Sequence, residues 1–171
     1  MSLRSSIGAN ELWLEVSIAS QRLRVRQGDE VVAHYTVSTA LAGAGERNGS
    51  WKTPRGWHVV RARIGAEHPL GAVFVGRRWT GEVYDQALGR RFPERDWILT
   101  RILWLSGLER GRNRLGKVDT MRRYIYFHGC PDETELGQPG SQGCIQMRNT
   151  DIAALFDRVP AGTRVWIHER K

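Results

Sequence analysis

Cysteine occurs only twice in the 171 residues, at Cys130 and Cys144. That excludes a disulfide-dense scaffold and leaves no ligand set for a Cys-rich zinc site. His34, His58, His68 and His168 are scattered without H-x-x-x-H spacing, so no metal and no cofactor is expected. No stretch of 18 consecutive apolar residues exists, which excludes a membrane-spanning helix. Lysine is scarce, 3 against 23 arginines, yet Lys+Arg 26 against Asp+Glu 18 leaves a net charge of +8. The basic residues are spread from Arg22 to Arg164 rather than gathered in one run, which argues against a nucleic-acid partner. A solvated basic surface and a partner rich in carboxylates or phosphates both remain open, since arginine grips such groups bidentately. The opening MSLRSSIGANELWLEV has one basic residue, Arg4, and no apolar core behind it, so it does not read as a secretory signal.

What is present is a single domain's worth of chain with strong β patterning. Residues 1–10 read as a short flexible arm, and 11–171 as one domain without repeats or linkers. From Leu12, the residues Leu14, Val16 and Ile18 share one face, with Glu15 and Ser17 on the other, which predicts a half-buried strand. Arg22–Arg26 alternates again, and a Gly28-Asp29-Glu30 turn leads into Val31–Ser38; three strands this close predict an antiparallel meander. Trp57–Arg63 reads as a strand after the turn at Pro54 and Gly56. Trp97–Leu105 is apolar throughout and fits a buried strand or a helix equally well. The region 64–120 is otherwise strand pieces and loops, and is a candidate insertion or lid over a site. A short aromatic strand from Tyr124 ends at His128-Gly129, and a polar loop from Pro131 to Gln142 follows. Asn149 or Thr150 is placed to cap a helix whose Ile152, Leu155, Phe156 and Val159 fall on one face. Thr163–His168 closes the chain as a strand. The fold class expected is mainly β, with one short helix after Cys144.

The residues that point to chemistry are Phe127-His128-Gly129 and Ser141-Gln142-Gly143-Cys144. A thiol attacks as its thiolate, and a neighbouring imidazole that takes the proton makes this possible near neutral pH. Gly143 lacks a Cβ, so the backbone can turn sharply and direct the Gly143 and Cys144 amides at a developing oxyanion. Nucleophile, base and amide donors are the parts of an acyl-transfer site. Trp51, Trp57, Trp79, Trp97 and Trp104 fit either an aromatic groove or ordinary packing. Cys130, two residues after His128, is either a bystander or a resolving thiol that pairs with Cys144 under oxidation.

The run from His128-Gly129 through eleven residues to SQGCIQMRNTDIAALFDRVPAGTRVWI resembles the signature of the L,D-transpeptidase catalytic domain, the YkuD family. ELWLEVSIASQRLRVRQGDEVVAHYTVST resembles that family's opening strands, and Thr53-Pro54-Arg55-Gly56 its Thr-Pro-x-Gly turn. The likeness spans about residues 11–168. It implies a β-sandwich or partly open barrel, and a cysteine acyltransferase that forms a thioester at an L-centre of a peptidoglycan stem peptide and passes it to an amine. That amine belongs to another stem or a lipoprotein; water in its place gives a carboxypeptidase. Carried over, Cys144 is the nucleophile and His128 the base. Gly143, Cys144 and Ser141 shape the oxyanion pocket, and the Gly129 carbonyl orients the imidazole. Gln142 stands where the family has His, and Gln146 where it has Arg or Asn; both are expected to touch substrate. Arg101 and Arg148 are candidate clamps for its carboxylates. The likeness implies a location in the cell envelope or periplasm, while the opening residues, which do not read as a signal, leave the cytoplasm open. A non-catalytic module that holds cell-wall peptide is the competing class, and the two Gln departures are its support.

Overall fold

The meander expected at the start is β1 (Leu12–Ser17), β2 (Arg22–Gln27) and β3 (Glu30–Thr36), paired antiparallel in order. They belong to a computed structural model that describes residues 3–171. The first two residues of the expected arm therefore lie outside the described residues. Leu3–Ser6 forms one 3-10 turn, and Arg164 donates to Ser6 Oγ at 2.7 Å and to Ser6 O at 3.0 Å.

The remaining strands are β4 (Gly56–Ile64), β5 (Ala72–Val75), β6 (Arg78–Val83), β7 (Ile98–Gly107), β8 (Tyr126–Gly129), β9 (Ile145–Met147) and β10 (Arg164–His168). The mainly β architecture read from the sequence is what forms. All ten strands belong to one open sheet in the order β3-β2-β1-β10-β4-β7-β5-β6, with β8 branching from β7 and β9 from β8. The last strand lies parallel to the first, Leu14 opposite Val165. The apolar run at 97–105 resolves as strand because β7 has partners on both edges: β4 and β5 on one, β8 on the other. A bulge interrupts the β7–β8 register between Leu99 and Ile102, where Thr100 takes φ 74°.

The main core gathers Leu14, Val16, Leu23 and Val25 from the meander. Against them pack Leu103, Leu105, Phe127, Ile145, Val165 and Ile167, and the Ile152, Leu155 and Phe156 face of a helix. That helix, α2 (Asn149–Arg158), is the one the apolar period predicted. No helix among the described residues is long and apolar enough to cross a membrane.

Three details depart from the sequence reading. First, β1 is covered on both faces rather than half-buried: Glu15 is only 5% exposed. Its carboxylate accepts from Arg26 Nε at 3.0 Å and Nη2 at 2.9 Å, and lies 3.2 Å from His168 Nε2. A carboxylate buries only with such partners, and alternation alone does not reveal them. Second, there is another helix, with residues Gln86–Arg91. Asp85 Oδ1 accepts from the Leu88 N–H at 2.7 Å, but the helix buries no residue, so it has no apolar period to read. In chain order it is α1. Third, the residue before α2 is Arg148, and no side chain caps the helix. Asn149 is its first residue, and its side chain bonds behind the candidate site instead.

Candidate active site

β8 and β9 run parallel, with Phe127 opposite Ile145, His128 opposite Gln146 and Gly129 opposite Met147. Side chains alternate along a strand, so Tyr126 and His128 share a face with Gln146 and with Cys144, which immediately precedes β9. Cys144 is thus a diagonal neighbour of His128 on adjacent strands. Both line one cavity of about 280 Å³, together with Trp51, Asp96, Ile98, Arg123, Tyr126 and Gln142.

His128 is buried, and its Nδ1 lies 2.6 Å from the Gly129 carbonyl oxygen. A carbonyl only accepts, so Nδ1 carries the hydrogen and the neutral ring keeps its lone pair on Nε2. Burial pushes the imidazole below its ordinary pKa of 6.5, while the Gly129 carbonyl and the Asp96 carboxylate pull the other way. Near pH 7 the ring is therefore a neutral base of defined tautomer. Gly129 is itself fixed from behind. Asn149 Nδ2 donates to Cys130 O at 3.0 Å, and Thr100 Oγ1 donates to Asn149 Oδ1 at 2.6 Å.

The turn that carries Cys144 is held by short side chains. Thr53, from the Thr-Pro-Arg-Gly turn, donates to Gly143 O at 2.9 Å and accepts from the Ala40 N–H at 2.9 Å. Ser141 Oγ donates to Cys144 O at 2.5 Å and accepts from the Gly143 N–H at 3.2 Å. Gly143 sits at φ 127°, in the region that favours glycine. Its amide is thus engaged by Ser141, whereas no hydrogen bond occupies the Cys144 N–H among the described residues. Of the two amides expected to face an oxyanion, Cys144's is therefore the one without a hydrogen bond among the described residues.

The Cys144 thiol donates to Tyr124 O at 3.3 Å and accepts from the Tyr126 N–H at 3.3 Å. Burial pushes it up to about 12; the Tyr126 N–H lowers it, Asp96 raises it and Arg123 lowers it. The resting pair is therefore thiol and neutral imidazole. No hydrogen bond joins them among the described residues.

Other expected residues divide. Gln142 and Gln146 line the cavity, and Gln146 Oε1 is buried without a partner. Arg101 and Arg148 do not line it. Arg101 donates to His68 O at 2.8 Å and Thr100 O at 2.6 Å, and Arg148 to Asp132 O at 2.9 Å. The arginine in the cavity is Arg123, which the sequence reading passed over. Nothing local in the sequence marks it out among the 23 arginines. Trp51 is the one tryptophan of the five considered that lines the cavity; Trp57 stacks on Trp166 at 5.9 Å. Cys130 is a free, fully buried thiol whose Sγ donates to Met147 O at 3.2 Å. Burial pushes it up to about 11.

The family model for the L,D-transpeptidase catalytic domain, YkuD, matches residues 11–167, and the chain belongs to that family. The probable L,D-transpeptidase ErfK/SrfK of Salmonella typhimurium is 50% identical over 48 residues, 28% of this chain and 16% of that protein. The putative L,D-transpeptidase YqjB of Bacillus subtilis is 42% identical over 45 residues, 26% of each. Among solved structures, an L,D-transpeptidase from Mycobacterium smegmatis superimposes with TM-score 0.54 at 16% identity, covering 92% of this chain and 58% of that one. Bd1075 of Bdellovibrio bacteriovorus superimposes with TM-score 0.58 at 17% identity, covering 99% and 51%. At such identities the likeness is one of fold. The chain spans 51–58% of these solved chains, and its matched segments 16–26% of the curated relatives.

Proposed function

We propose that this chain is a cysteine acyltransferase of peptidoglycan stem peptides, an L,D-transpeptidase, with Cys144 as nucleophile and His128 as general base. The observation that carries the reading is the shared cavity: the Cys144 thiol and an imidazole with Nδ1–H locked on Gly129 O face the same space. Family membership supplies the reaction class.

In this reading a stem peptide enters the cavity with the carbonyl of an L-centre over the thiol. As the S–C bond forms, the thiol proton passes to Nε2, so the charge of a free thiolate never has to be sustained in a buried site. The Cys144 N–H donates to the developing oxyanion. Collapse breaks the C–N bond, His128 returns the proton to the leaving amine, and a thioester remains on Sγ. An acceptor amine from another stem or a lipoprotein then attacks the thioester, gives its proton to Nε2, and releases the new amide as Sγ is reprotonated. Gln142 and Gln146 contact substrate through neutral amides. The substrate places the reaction in the cell envelope.

Incubating the chain with a tetrapeptide stem and a second stem as acceptor tests this by product mass. A cross-linked dimer is expected. A shortened stem alone makes water the acceptor and the protein a carboxypeptidase. Neither product, with stem still bound, leaves a binding module.

A further inference from the structure

Arg123 is half-buried beside Cys144, yet it has no ion-pair partner among the described residues. Its guanidinium donates only to neutral acceptors: Gly45 O at 3.2 Å, Ser50 Oγ at 3.2 Å and Lys52 O at 2.5 Å. Two of its five N–H donors are left without a partner. The nearby carboxylates are committed or distant: Glu46 pairs with Arg55 at 3.0 Å, and Asp96, which lines the same cavity, is not within ion-pair reach of Arg123. Burial disfavours the charge, and Glu46 at a distance, then the negative form of Cys144, offset only part of that cost. Cations withdrawn from water are ordinarily paired.

The placement is also particular. Arg123 lines the cavity of Cys144 and a second cavity of about 310 Å³, and the two share Trp51, Ile125 and Gln142. The three acceptors hold the guanidinium at this junction, so little side-chain freedom remains to be lost when a ligand binds. A fixed cation with spare donors beside a nucleophile is an incomplete ion pair.

We propose that Arg123 is an anion receptor that selects acyl donors carrying a free carboxylate near the carbonyl attacked by Cys144. The inference rests on the functional reading for its substrate, and it assigns to Arg123 the clamp role that Arg101 and Arg148 do not fill. Arg123 is a specificity residue here; the bond changes remain those of Cys144 and His128.

Iodoacetate and iodoacetamide alkylate a thiol by the same displacement and differ in the carboxylate. Their rate ratio at Cys144, read by peptide mass, therefore cancels any effect of Arg123 on the thiol itself. In Arg123→Gln the iodoacetate/iodoacetamide ratio is expected to fall at least about tenfold, with part of it kept in Arg123→Lys. Arg158→Gln, at an exposed arginine on the last turn of α2 that lines neither cavity, is expected to leave the ratio within about twofold. An unchanged ratio in Arg123→Gln, with Cys144 still alkylated, overturns the anion receptor and leaves the acyltransferase standing. Failure of both reagents to reach Cys144 overturns both.

Should Arg123→Gln fail to fold, the wild-type chain decides. N-acetyl-D-alanine is expected to protect Cys144 from iodoacetamide, and its carboxamide to protect at least about tenfold less well. Equal protection, or none, overturns the proposal.

Discussion

Replacing Gly129 by alanine tests how the base is held. Gly129 has no positive φ, so any residue can adopt its backbone, and the need for glycine is one of space. A Cβ there would lie 2.2 Å from Asn149 Oδ1, 2.8 Å from Leu99 O and 3.2 Å from Thr100 Oγ1. The Leu99 oxygen belongs to the strand paired with Gly129. Asn149 is held at both ends of its amide, by Thr100 and by Cys130 O. Neither neighbour yields at little cost. Overpacking of this kind costs roughly 1–3 kcal/mol, and each displaced hydrogen bond about 1 kcal/mol. Gly129→Ala is therefore expected to lower stability by about 3 kcal/mol in urea unfolding. Gly140→Ala is the control, since its Cβ would meet only Gln138 O at 4.0 Å; it should stay within about 0.5 kcal/mol. The functional loss should be larger than the loss of folded protein. The Gly129 carbonyl sets the tautomer and direction of His128, and a shift of about 1 Å in a reacting group costs on the order of 10²-fold. A Gly129→Ala protein as stable as wild type, with an unchanged rate of Cys144 acylation, would refute this reasoning.

Other outcomes follow from the same framework. His58 is buried and neutral, donating to Gly56 O at 3.0 Å, and burial lowers its pKa from 6.5 to about 4. The stability this contributes is fully present above pH 6.5 and is lost as the pH falls toward 4, about 3 kcal/mol in all; His58→Gln should flatten that slope in urea unfolding at pH 7.5 and 4.5. Asp96→Asn removes a charge that raises His128, so the acid limb of the acylation–pH profile should move to lower pH, and an immobile limb would count against Asp96 acting on the base. Thr53→Val leaves the Ala40 N–H and Gly143 O unpaired in a buried turn; it should cost about 2 kcal/mol in urea unfolding and slow acylation as well.

The meander, β8, α2 and β10 were legible because apolar period and turn residues speak locally, whereas the continuous apolar run of β7 fits strand or helix until β4, β5 and β8 pair with it. What the sequence concealed depends on partners distant in the chain. The outer face of β1 looks solvated until Arg26 and His168 close over Glu15. Asn149 has the chemistry of a cap, but the carbonyl of Cys130 and the hydroxyl of Thr100 claim its amide. The Cys144 and His128 motifs could be picked out because their residue types are rare and their spacing is distinctive. Among 23 arginines, nothing local separated Arg123 from Arg101 and Arg148. Only the packing of the 45–52 loop against the residues before β8 brings Arg123 into the cavity.

Intact-mass measurement after mixing the chain with a tetrapeptide stem tests the central claim most directly. A covalent adduct equal to the stem minus its terminal D-alanine is expected on Cys144. It should be absent in Cys144→Ala and slowed by orders of magnitude in His128→Ala. A folded, reduced wild-type chain that never gains this mass, or an adduct that survives Cys144→Ala, would contradict the account.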